Sequence, residues 1–461
     1  MKKTPGQGGG DQPQGAENRG IKSAGHPLNA ADVGHVHIGI FDVDGAFRHK
    51  RVAADKARKL VRNGYSFCEV LYQWDTAEEP YITGPFLDRP AEIDSESFRP
   101  YPFADDDLFC IADFALPFGE RSARNQLRAQ VDRAAALGFS VHSAFEFEFM
   151  VLDETPASLR DKDYAQLNFF ARGNRTYSLQ TAAVYDDLIT GLEDVMGHAG
   201  IGLDSVHSEL GPGCFEAPLT HAPGIRGADD AALFKNFAKA WFQRHDLMAT
   251  FMSTLGEDLP NQSGHLHVSL RHLDSGEPAL ADAQDPDGLS ATARHFIGGL
   301  MELMPSWLVL TNPTINSYKR IGHGGWAPSQ ATWGIQNRTT AVRVINDSPG
   351  ALRIEFRAPG ADTNPHAALA AVLAAGLWGI EHECEPPPPR EDDCEAPRSD
   401  ESGRFPRSLA EAADWFEASA PARAIFGDTF VDQVVGSRRV EDAAWRRYVS
   451  PWEIARYLEV V

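Results

Sequence analysis

The sequence predicts an α+β protein with a small β-rich N-terminal domain and a larger second domain that combines a sheet with helices. Three segments predict strands, because apolar and polar residues alternate through residues 141–152, 263–269 and 353–357. Residues 122–138 and 367–380 have the spacing or composition of helices. With 461 residues, the chain is too long for one ordinary core and fits two or three domains.

The first 120 residues divide into a tail and a small domain. Residues 1–30 are rich in Gly, Gln, Pro and Asn and contain almost no large apolar side chain, which predicts a disordered tail. The segment VHIGIFDVDGAFRHKR (residues 36–51) predicts two strands joined by a turn at Asp44 and Gly45. We therefore expect an N-terminal domain over residues 31–120 and a second domain over residues 121–461.

Helix signals and one loop signal follow in the second domain. Ser122 is placed to cap a helix that Gly138 ends. Residues 367–380 are rich in Ala and Gly and are shorter than the ~18 residues of a membrane span, so they predict a buried helix. The segment from Glu383 to Gly403 contains four consecutive prolines and many charges, which predicts an exposed loop.

The composition excludes several classes of protein. Acidic residues outnumber basic ones by 65 to 43, and the formal charge of −22 would repel a nucleic-acid backbone. The five cysteines show no CxxC spacing, so neither a disulfide framework nor a zinc cluster is indicated. No apolar signal region follows the first three residues. We therefore expect a cytoplasmic protein with neither a nucleic-acid nor a membrane partner.

The segment FEFEF (residues 145–149) is the most informative part of the chain. Because successive strand side chains point to opposite faces, the three Phe enter a core while Glu146 and Glu148 stand about 7 Å apart on the other face. Two carboxylates at that spacing suit two neighbouring cations. Taken alone, the segment is equally compatible with an amphipathic strand whose charged face is solvated.

Other segments repeat this arrangement. SGHLHVSL (residues 263–270) and RIEFR (residues 353–357) also place polar side chains on one strand face, and HSELGPGCFE (residues 207–216) holds two carboxylates around a turn. The candidate carboxylates are Glu146, Glu148, Glu209, Glu216 and Glu355, and the candidate arginines are Arg320, Arg338, Arg343, Arg353 and Arg357.

This set of side chains predicts a particular chemistry. Ligation dominated by oxygen, with at most one imidazole per ion, favours Mg²⁺ or Mn²⁺ over zinc, copper or iron. Arginine forks pair with phosphate and carboxylate oxygens. Metal ions surrounded by arginines imply phosphoryl transfer, in which catalysis is mostly positioning and charge neutralisation. The sequence GxxxxGK[ST] is absent, so a P-loop does not bind the nucleotide.

From about Val36 to Ile380 the chain resembles the glutamine synthetase superfamily. The resemblance rests on six ordered motifs, which are FEFEF (145–149), HSELGPGCFE (207–216), SGHLHVSL (263–270), NPTINSYKR (312–320), APSQATWGIQNRTTAVR (327–343) and RIEFRAPGADTNP (353–365). It implies a glutamine synthetase-like fold, with an N-terminal β-grasp domain and a catalytic domain whose curved antiparallel sheet is flanked by helices. It also implies a homo-oligomer, which we expect to be a dodecamer of two stacked hexameric rings with active sites between neighbours.

The resemblance also implies an activity and a role for each candidate residue. The side-chain carboxylate of glutamate would attack ATP to form an acyl phosphate, which an amine or ammonia displaces, with two or three Mg²⁺ or Mn²⁺ ions per site. The implied metal ligands are Glu148, Glu209 and Glu216 for one cation and Glu146, His265 and Glu355 for a second. The implied substrate residues are Arg320, Arg357, Asn261 and Gly264, with Arg338 near the transferred phosphate. The implied nucleotide residues are His267, Ser269, Arg343 and Arg353.

Two positions concern the nitrogen nucleophile. Glutamine synthetases carry a Glu immediately before Ala-Pro, whereas Trp326 stands there in this chain. An indole has no basic site, although its face holds a cation by about 0.5–2 kcal/mol. Asp75, in WDT, takes the place of the family's ammonium-site aspartate, which is donated across the subunit interface. We therefore expect a glutamate–amine ligase similar to the γ-glutamylpolyamine synthetases. Glutamine synthesis from ammonia and a non-catalytic binding or scaffold protein are the alternatives.

Overall fold

The N-terminal part of the chain is a mixed sheet with one helix. The computed structural model describes residues 26–30, 32–321, 326–394 and 403–461. The strands of this first sheet are β1 (His35–Phe41), β2 (Phe47–Ala53), β3 (Tyr65–Cys68), β4 (Asp88–Ile93), β5 (Arg99–Pro100) and β6 (Asp107–Phe114). Their order is β2-β1-β6-β4-β3, with β5 beside β6, and β1 and β6 run parallel. Helix α1 (Ala54–Asn63) buries Ala57 and Val61 against this sheet, which gives the expected β-grasp arrangement.

The hairpin predicted at residues 36–51 is confirmed. Strands β1 and β2 pair antiparallel, and Gly45 in the turn between them has a φ of 82°, a conformation that glycine adopts without strain. Residues 26–30, which the sequence assigned to the tail, contain a 3₁₀ turn at Pro27–Asn29 whose Leu28 is fully buried. The disorder predicted for residues 1–25 lies outside the described residues.

The second sheet carries all three segments that alternation predicted to be strands. Its strands are β7 (Phe139–Leu152), β8 (His207–Ser208), β9 (Cys214–Pro218), β10 (Ala222–Pro223), β11 (Met248–Thr250), β12 (Gly264–His272), β13 (Trp333–Ile335), β14 (Val342–Ile345) and β15 (Arg353–Phe356). The order is β13-β14-β15-β12-β7-β9-β8, with β10 and β11 also paired to β7. Only the β13–β14 pair is parallel among the described strands of this sheet.

Helices alternate with the strands of the second sheet along the chain and follow its last strand, and two of them, at Ala123–Ala136 and Arg226–Gln243, pack against β7. In chain order, the helices are α2 (Ala123–Ala136), α3 (Pro156–Asp161), α4 (Leu179–Val184), α5 (Asp186–His198), α6 (Arg226–Gln243), α7 (Ala291–Trp307), α8 (Ser317–Arg320), α9 (Pro365–Glu381), α10 (Leu409–Ala418), α11 (Ala420–Phe426), α12 (Asp428–Arg447) and α13 (Pro451–Tyr457). The remaining 3₁₀ turns are Glu69–Tyr72, Ser95–Ser97, Phe118–Arg121, Leu308–Leu310 and Pro349–Ala351. Across the described residues, none of the helices is both long and apolar enough to cross a membrane.

The two predicted helices are confirmed. The hydroxyl of Ser122 accepts a hydrogen bond from the Asn125 N–H at 3.3 Å and caps α2, and Gly138 after its end has a φ of 88°. Helix α9 is buried along almost its whole length between α2, α6 and α7. Its close approach to α7 requires glycine, because a Cβ added to Gly299 would lie 2.1 Å from the Ala375 carbonyl oxygen. Between α9 and α10, the described residues 383–394 form the expected loop.

Strand β7 separates the apolar core from a polar face. Phe145, Phe147 and Phe149 are fully buried, and Phe149 stacks with Phe251 at 5.4 Å between ring centroids. The intervening residues of β7 point to the other face of the sheet. A shift of one residue in strand pairing would bury carboxylates and expose phenyl rings, so the core determines which side chains face the site.

Candidate active site

Strand register places candidate metal ligands opposite one another. Glu146 on β7 pairs with His265 on β12, and Glu148 pairs with Glu216 on β9. Glu355 on β15 belongs to the strand on the other side of β12. Because all five side chains lie on the sheet face opposite the phenylalanines, the structure gathers the carboxylates and imidazole that the sequence singled out.

The first group of ligands contains two of the three histidines of β12, His265 and His267. Glu146 Oε1 lies 3.2 Å from His265 Nδ1, and Glu146 Oε2 lies 3.6 Å from His267 Nε2. Single ligand atoms of Glu146, His267 and Glu355 all lie within 4.8 Å of one another. The sequence assigned His267 to the nucleotide side only, whereas the structure also places it among the candidate metal ligands.

The protonation of this first group suits a hard cation. Burial and the nearby Arg357 guanidinium lower the pKa of His265 to about 4, so its imidazole is neutral at pH 7. Burial disfavours the charged form of Glu355, but Arg357 together with His267 and His265 outweighs it and holds the pKa of this carboxyl at about 2. His265 Nε2 is buried without a hydrogen-bond partner among the described residues. An ionised carboxylate beside a neutral imidazole with an unused nitrogen is what a bound divalent cation requires.

The second group consists of carboxylates that repel one another. Burial, followed by the charges of Glu216 and Glu209, raises the pKa of Glu148 to about 7. Burial also raises the pKa of Glu216, although a contact of 3.2 Å between its Oε1 and His207 Nε2 opposes the shift. A divalent cation would stabilise the ionised forms of all three carboxyls, so these residues fit the cation that the resemblance assigned to them.

Two buried arginines hold the loops around the cluster. Arg320 is 1% exposed, and it donates from Nη1 to the Ala358 carbonyl oxygen at 2.9 Å and from Nη2 to Ser263 Oγ at 3.0 Å. Burial lowers its pKa to about 10, which leaves it charged at neutral pH. Arg357 forms an ion pair with Glu355, and its Nε donates to the Arg338 carbonyl oxygen at 3.0 Å. Both guanidinium groups therefore lie next to the ligand cluster.

The predicted substrate loop is joined directly to a metal-ligand carboxylate. The backbone N–H of Ser263 donates to Glu148 Oε2 at 2.6 Å, and the N–H of Gly264 donates to the Pro359 carbonyl oxygen at 3.1 Å. A Cβ on Gly264 would lie 2.7 Å from the Gly360 carbonyl oxygen, so glycine is needed for this close approach. Asn261, two residues before Ser263, lies in the same loop and is partly buried.

A cavity of about 370 Å³ opens beside the cluster. Three of the four predicted nucleotide residues line it, namely His267, Ser269 and Arg353. The fourth, Arg343, instead forms an ion pair with Glu355, with 3.1 Å between Nη1 and Oε2. Sequence reasoning missed two further lining residues, His142 and His221, whose rings lie 5.8 Å apart. His142 lies on β7 and His221 lies in the segment before β10, so the spacing of residues along the sequence does not predict that they meet.

Tyr177 is a second residue that sequence reasoning missed. It is exposed, its φ of 54° is unusual for a tyrosine, and its ring lies edge-on to His207 at 5.0 Å. Burial and then Glu209 raise the pKa of its hydroxyl, while Arg338 acts in the opposite direction. Tyr177 and the exposed Arg338 therefore lie within electrostatic range of the acidic cluster, at its mouth. The strained backbone is visible only in the structure.

Asp75 and Trp326, the two residues predicted to bind the nitrogen nucleophile, are not among the residues that the structure gathers in the ligand cluster. Asp75 Oδ1 accepts hydrogen bonds from the backbone N–H groups of Ala77 at 2.9 Å and Glu79 at 3.0 Å, within its own loop of the N-terminal domain. Its predicted role depends on a neighbouring subunit and stays a prediction. Trp326 is 54% exposed, and residues 322–325 before it lie outside the described part of the chain.

Ionised carboxylates and a neutral imidazole that suit hard cations lie beside buried arginines and a cavity able to hold a small molecule. Transfer of a phosphoryl group to a carboxylate needs this combination, and the fold and site therefore define a metal-dependent ligase. A family model described as "Glutamine synthetase, catalytic domain" matches residues 120–457, and the chain belongs to the glutamine synthetase family. It is an ATP-dependent carbon–nitrogen ligase of the glutamate ligase type.

Relatives and solved structures agree with this assignment. The chain is 33% identical to "Type-1 glutamine synthetase 2" of Dictyostelium discoideum, over 92% of this chain and 84% of that protein. It is 32% identical to "Glutamate--isopropylamine ligase" of a Pseudomonas species, over 92% and 95%, and 31% identical to "Gamma-glutamylethanolamide synthetase GlnA4" of Streptomyces coelicolor, over 94% and 95%. The solved structure "GmaS/ADP complex-Conformation 1" is similar with a TM-score of 0.82 and 27% identity, over 93% of this chain and 97% of that one.

Proposed function

We propose that this protein is an ATP-dependent glutamate–amine ligase that forms a γ-glutamyl amide through a γ-glutamyl phosphate. The observation that carries the proposal is Trp326, which stands where ammonia-using members of the family have a carboxylate. One relative is named for an amine, isopropylamine, and another for an amide product, γ-glutamylethanolamide, and both names agree with this proposal.

Each part of the site has a task in this reaction. Two divalent cations, held by the two groups of ligands, would reduce the repulsion between the glutamate carboxylate and the phosphates of ATP. Arg320 and Arg357 bind the anionic groups of glutamate and keep them next to the cluster. Arg338, at the exposed mouth, takes up charge that develops on the transferred phosphoryl group. His267, Ser269 and Arg353 line the cavity that accepts the nucleotide.

The nitrogen nucleophile enters at the opening of the acidic cluster, beside Tyr177 and Arg338. Amines are protonated at pH 7 and cannot attack until they lose a proton, while the carboxylates near Tyr177 attract the cationic form. An indole at position 326 cannot remove a proton, but its apolar face can bind the hydrocarbon part of an amine and its cation. Asp75 of a neighbouring subunit would supply negative charge to the same place. These features favour an alkylated amine over ammonia.

A panel of nucleophiles tests this proposal. We expect glutamate-dependent ADP release to be faster with one or more mono-, di- or polyamines than with ammonia. We expect Trp326→Glu to shift the ratio of amine to ammonia activity toward ammonia by about tenfold, because it removes a cation–π contact and restores a base. Trp326→Phe, which keeps an aromatic face, should retain the amine preference. Higher activity with ammonia than with every amine would contradict the proposal, whereas nucleotide binding without any ADP release would favour a non-catalytic protein.

We also propose a homo-oligomer, a dodecamer of two stacked hexameric rings, and the C-terminal segment supports an assembly. Large apolar side chains are exposed around α13, including Trp452, Tyr457 and Leu458. Exposed apolar surface of this kind marks contact sites. We expect a variant that ends at Arg447 to have a smaller mass in size-exclusion chromatography with light scattering. Removal of residues 1–25 is the control and should leave the number of subunits in the assembly unchanged. An unchanged subunit number in the C-terminal variant would contradict this role.

A further inference from the structure

Asp362 connects three separate segments of the catalytic domain. Its Oδ1 accepts a hydrogen bond from Ser253 Oγ at 2.6 Å, and its Oδ2 accepts from Thr314 Oγ1 at 2.5 Å and from Ser317 Oγ at 2.6 Å. Hydrogen bonds to an ionised carboxylate are shorter and stronger than those between neutral groups. One side chain therefore holds together the loop after β11, the start of α8 and the loop after β15.

Each of these segments leads to the glutamate side of the site. The Ser253 carbonyl oxygen accepts from the Gln262 N–H at 2.8 Å, immediately before Ser263 and Gly264. Ser317 begins the short helix α8, which ends at Arg320. The backbone of the third segment is bound by Arg320 itself, through the Ala358 carbonyl oxygen at 2.9 Å. Movement at Asp362 would therefore displace the substrate loop and the arginine together.

The backbone next to Asp362 is closely packed against its hydrogen-bond partners. A Cβ added to Gly360 would lie 1.9 Å from Ser253 Oγ and 2.6 Å from Asp362 Oδ1. On the other side of Asp362, the Thr363 carbonyl oxygen accepts a hydrogen bond from Lys235 Nζ at 2.7 Å. The loop is thus held by close contacts on both sides of the carboxylate.

We propose that Asp362 is a positioning residue that sets the affinity for the amino-acid substrate by holding the loop at residues 253–264 and Arg320 in their relative places. This inference rests on the proposed function, because it assigns the amino-acid substrate to this side of the cluster. Asp362 acts through other residues and touches neither the nucleotide cavity nor the predicted metal ligands among its described contacts. Its effect should therefore fall on glutamate and leave the nucleotide unaffected.

The Asp362→Asn variant tests the role with two readouts. The amide is nearly isosteric, but it offers one acceptor oxygen where the carboxylate has two, so the Thr314 and Ser317 contacts lose their charged partner. We expect the KM for glutamate to rise by about tenfold or more, because a misplacement of about 1 Å can cost up to a hundredfold. The KM for ATP and the affinity for Mg²⁺ADP in calorimetry should change less than about twofold.

Control variants keep the test decisive. Asp285→Asn alters a carboxylate that accepts from two backbone N–H groups and Arg294 in a loop that contributes none of the site residues, and it should leave both KM values unchanged. Should Asp362→Asn fail to fold, Ser253→Ala and Ser317→Ala each remove one donor and should raise the KM for glutamate alone. Equal KM values for glutamate in the wild type and these variants, or a matching rise in the KM for ATP, would overturn the inference. Absence of glutamate-dependent ADP release in the wild type would instead overturn the proposed function.

Discussion

Replacing Glu148 with Gln should abolish ligase activity and at the same time stabilise the metal-free protein above pH 7. Burial, and then repulsion by Glu216 and Glu209, raises the pKa of this carboxyl to about 7. Ionisation at pH 8 therefore costs the folded state about 3 kcal/mol relative to a carboxyl with an ordinary pKa. Gln removes this cost and retains an oxygen to accept from the Ser263 N–H, but it removes an anionic ligand, and we expect kcat to fall by about a thousandfold or more.

The pH dependence follows from the direction of the pKa shift. A group whose pKa is raised on folding contributes stability below its unfolded pKa and loses that contribution as the pH rises through its folded pKa. Relative to Glu148→Gln, the metal-free wild type should therefore lose stability between about pH 5 and pH 8. Thermal unfolding with and without Mg²⁺ measures this, and Mg²⁺ should stabilise Glu148→Gln less than the wild type, because only the group that contains Glu146 and Glu355 keeps all its ligands. Glu154→Gln, which removes a carboxylate paired with Lys162, serves as a control that should keep its activity. A less stable metal-free Glu148→Gln variant at pH 8 would contradict the prediction.

Replacing Glu355 with Gln should also abolish activity, but it should destabilise the protein. The carboxylate is 1% exposed and forms ion pairs with Arg357 and with Arg343, the latter with 3.1 Å between Nη1 and Oε2. Loss of one partner leaves a buried guanidinium uncompensated, and such changes cost about 3–5 kcal/mol. Activity should fall by about a hundredfold or more, because a ligand beside the transferred charge is lost.

The free energy of unfolding of Glu355→Gln should be lower than that of the wild type, both with and without Mg²⁺, when it is measured by denaturant unfolding at pH 7. Because its pKa is held at about 2, Glu355 contributes stability above the usual carboxyl pKa and loses it only as the pH falls toward 2. The difference between wild type and variant should therefore be the same at pH 6 and pH 8. Two carboxylates on one sheet face thus have opposite effects on stability. An increase in stability for Glu355→Gln would contradict the ion-pair role described here.

Alternation along single strands predicted much of this site because side-chain direction in a strand is a local property. Residues 145–149 show it clearly, since the period of two determines that Glu146 and Glu148 face away from the phenylalanine core. The same reasoning placed Arg353 and Glu355 on one side of β15. The order of the motifs indicated the family. The family in turn implied that acidic and arginine-containing segments far apart in the chain meet in one site.

Local patterns carried no information about which strand lies beside which. The place of His267 among the candidate metal ligands depends on its pairing with Glu355, and the cavity brings His142 of β7 together with His221 of the segment before β10. Tyr177 stands out only by its left-handed backbone conformation and by the carboxylates near its hydroxyl, and both are seen only in the structure. Contacts of this kind are set by the packing of the whole domain, and the spacing of residues along the sequence does not predict them.

From its sequence alone, this protein could be recognised as a metal-dependent ligase with two acidic ligand groups and an arginine-lined substrate side, because these depend on strand periodicity and on motif order. The tertiary structure alone decided the protonation of those ligands and the role of Asp362. The hydroxyl of Ser253 reaches that carboxylate across 109 residues of chain. Burial and the proximity of distant charges determine pKa values and hydrogen-bond partners, and both arise only when the chain has folded.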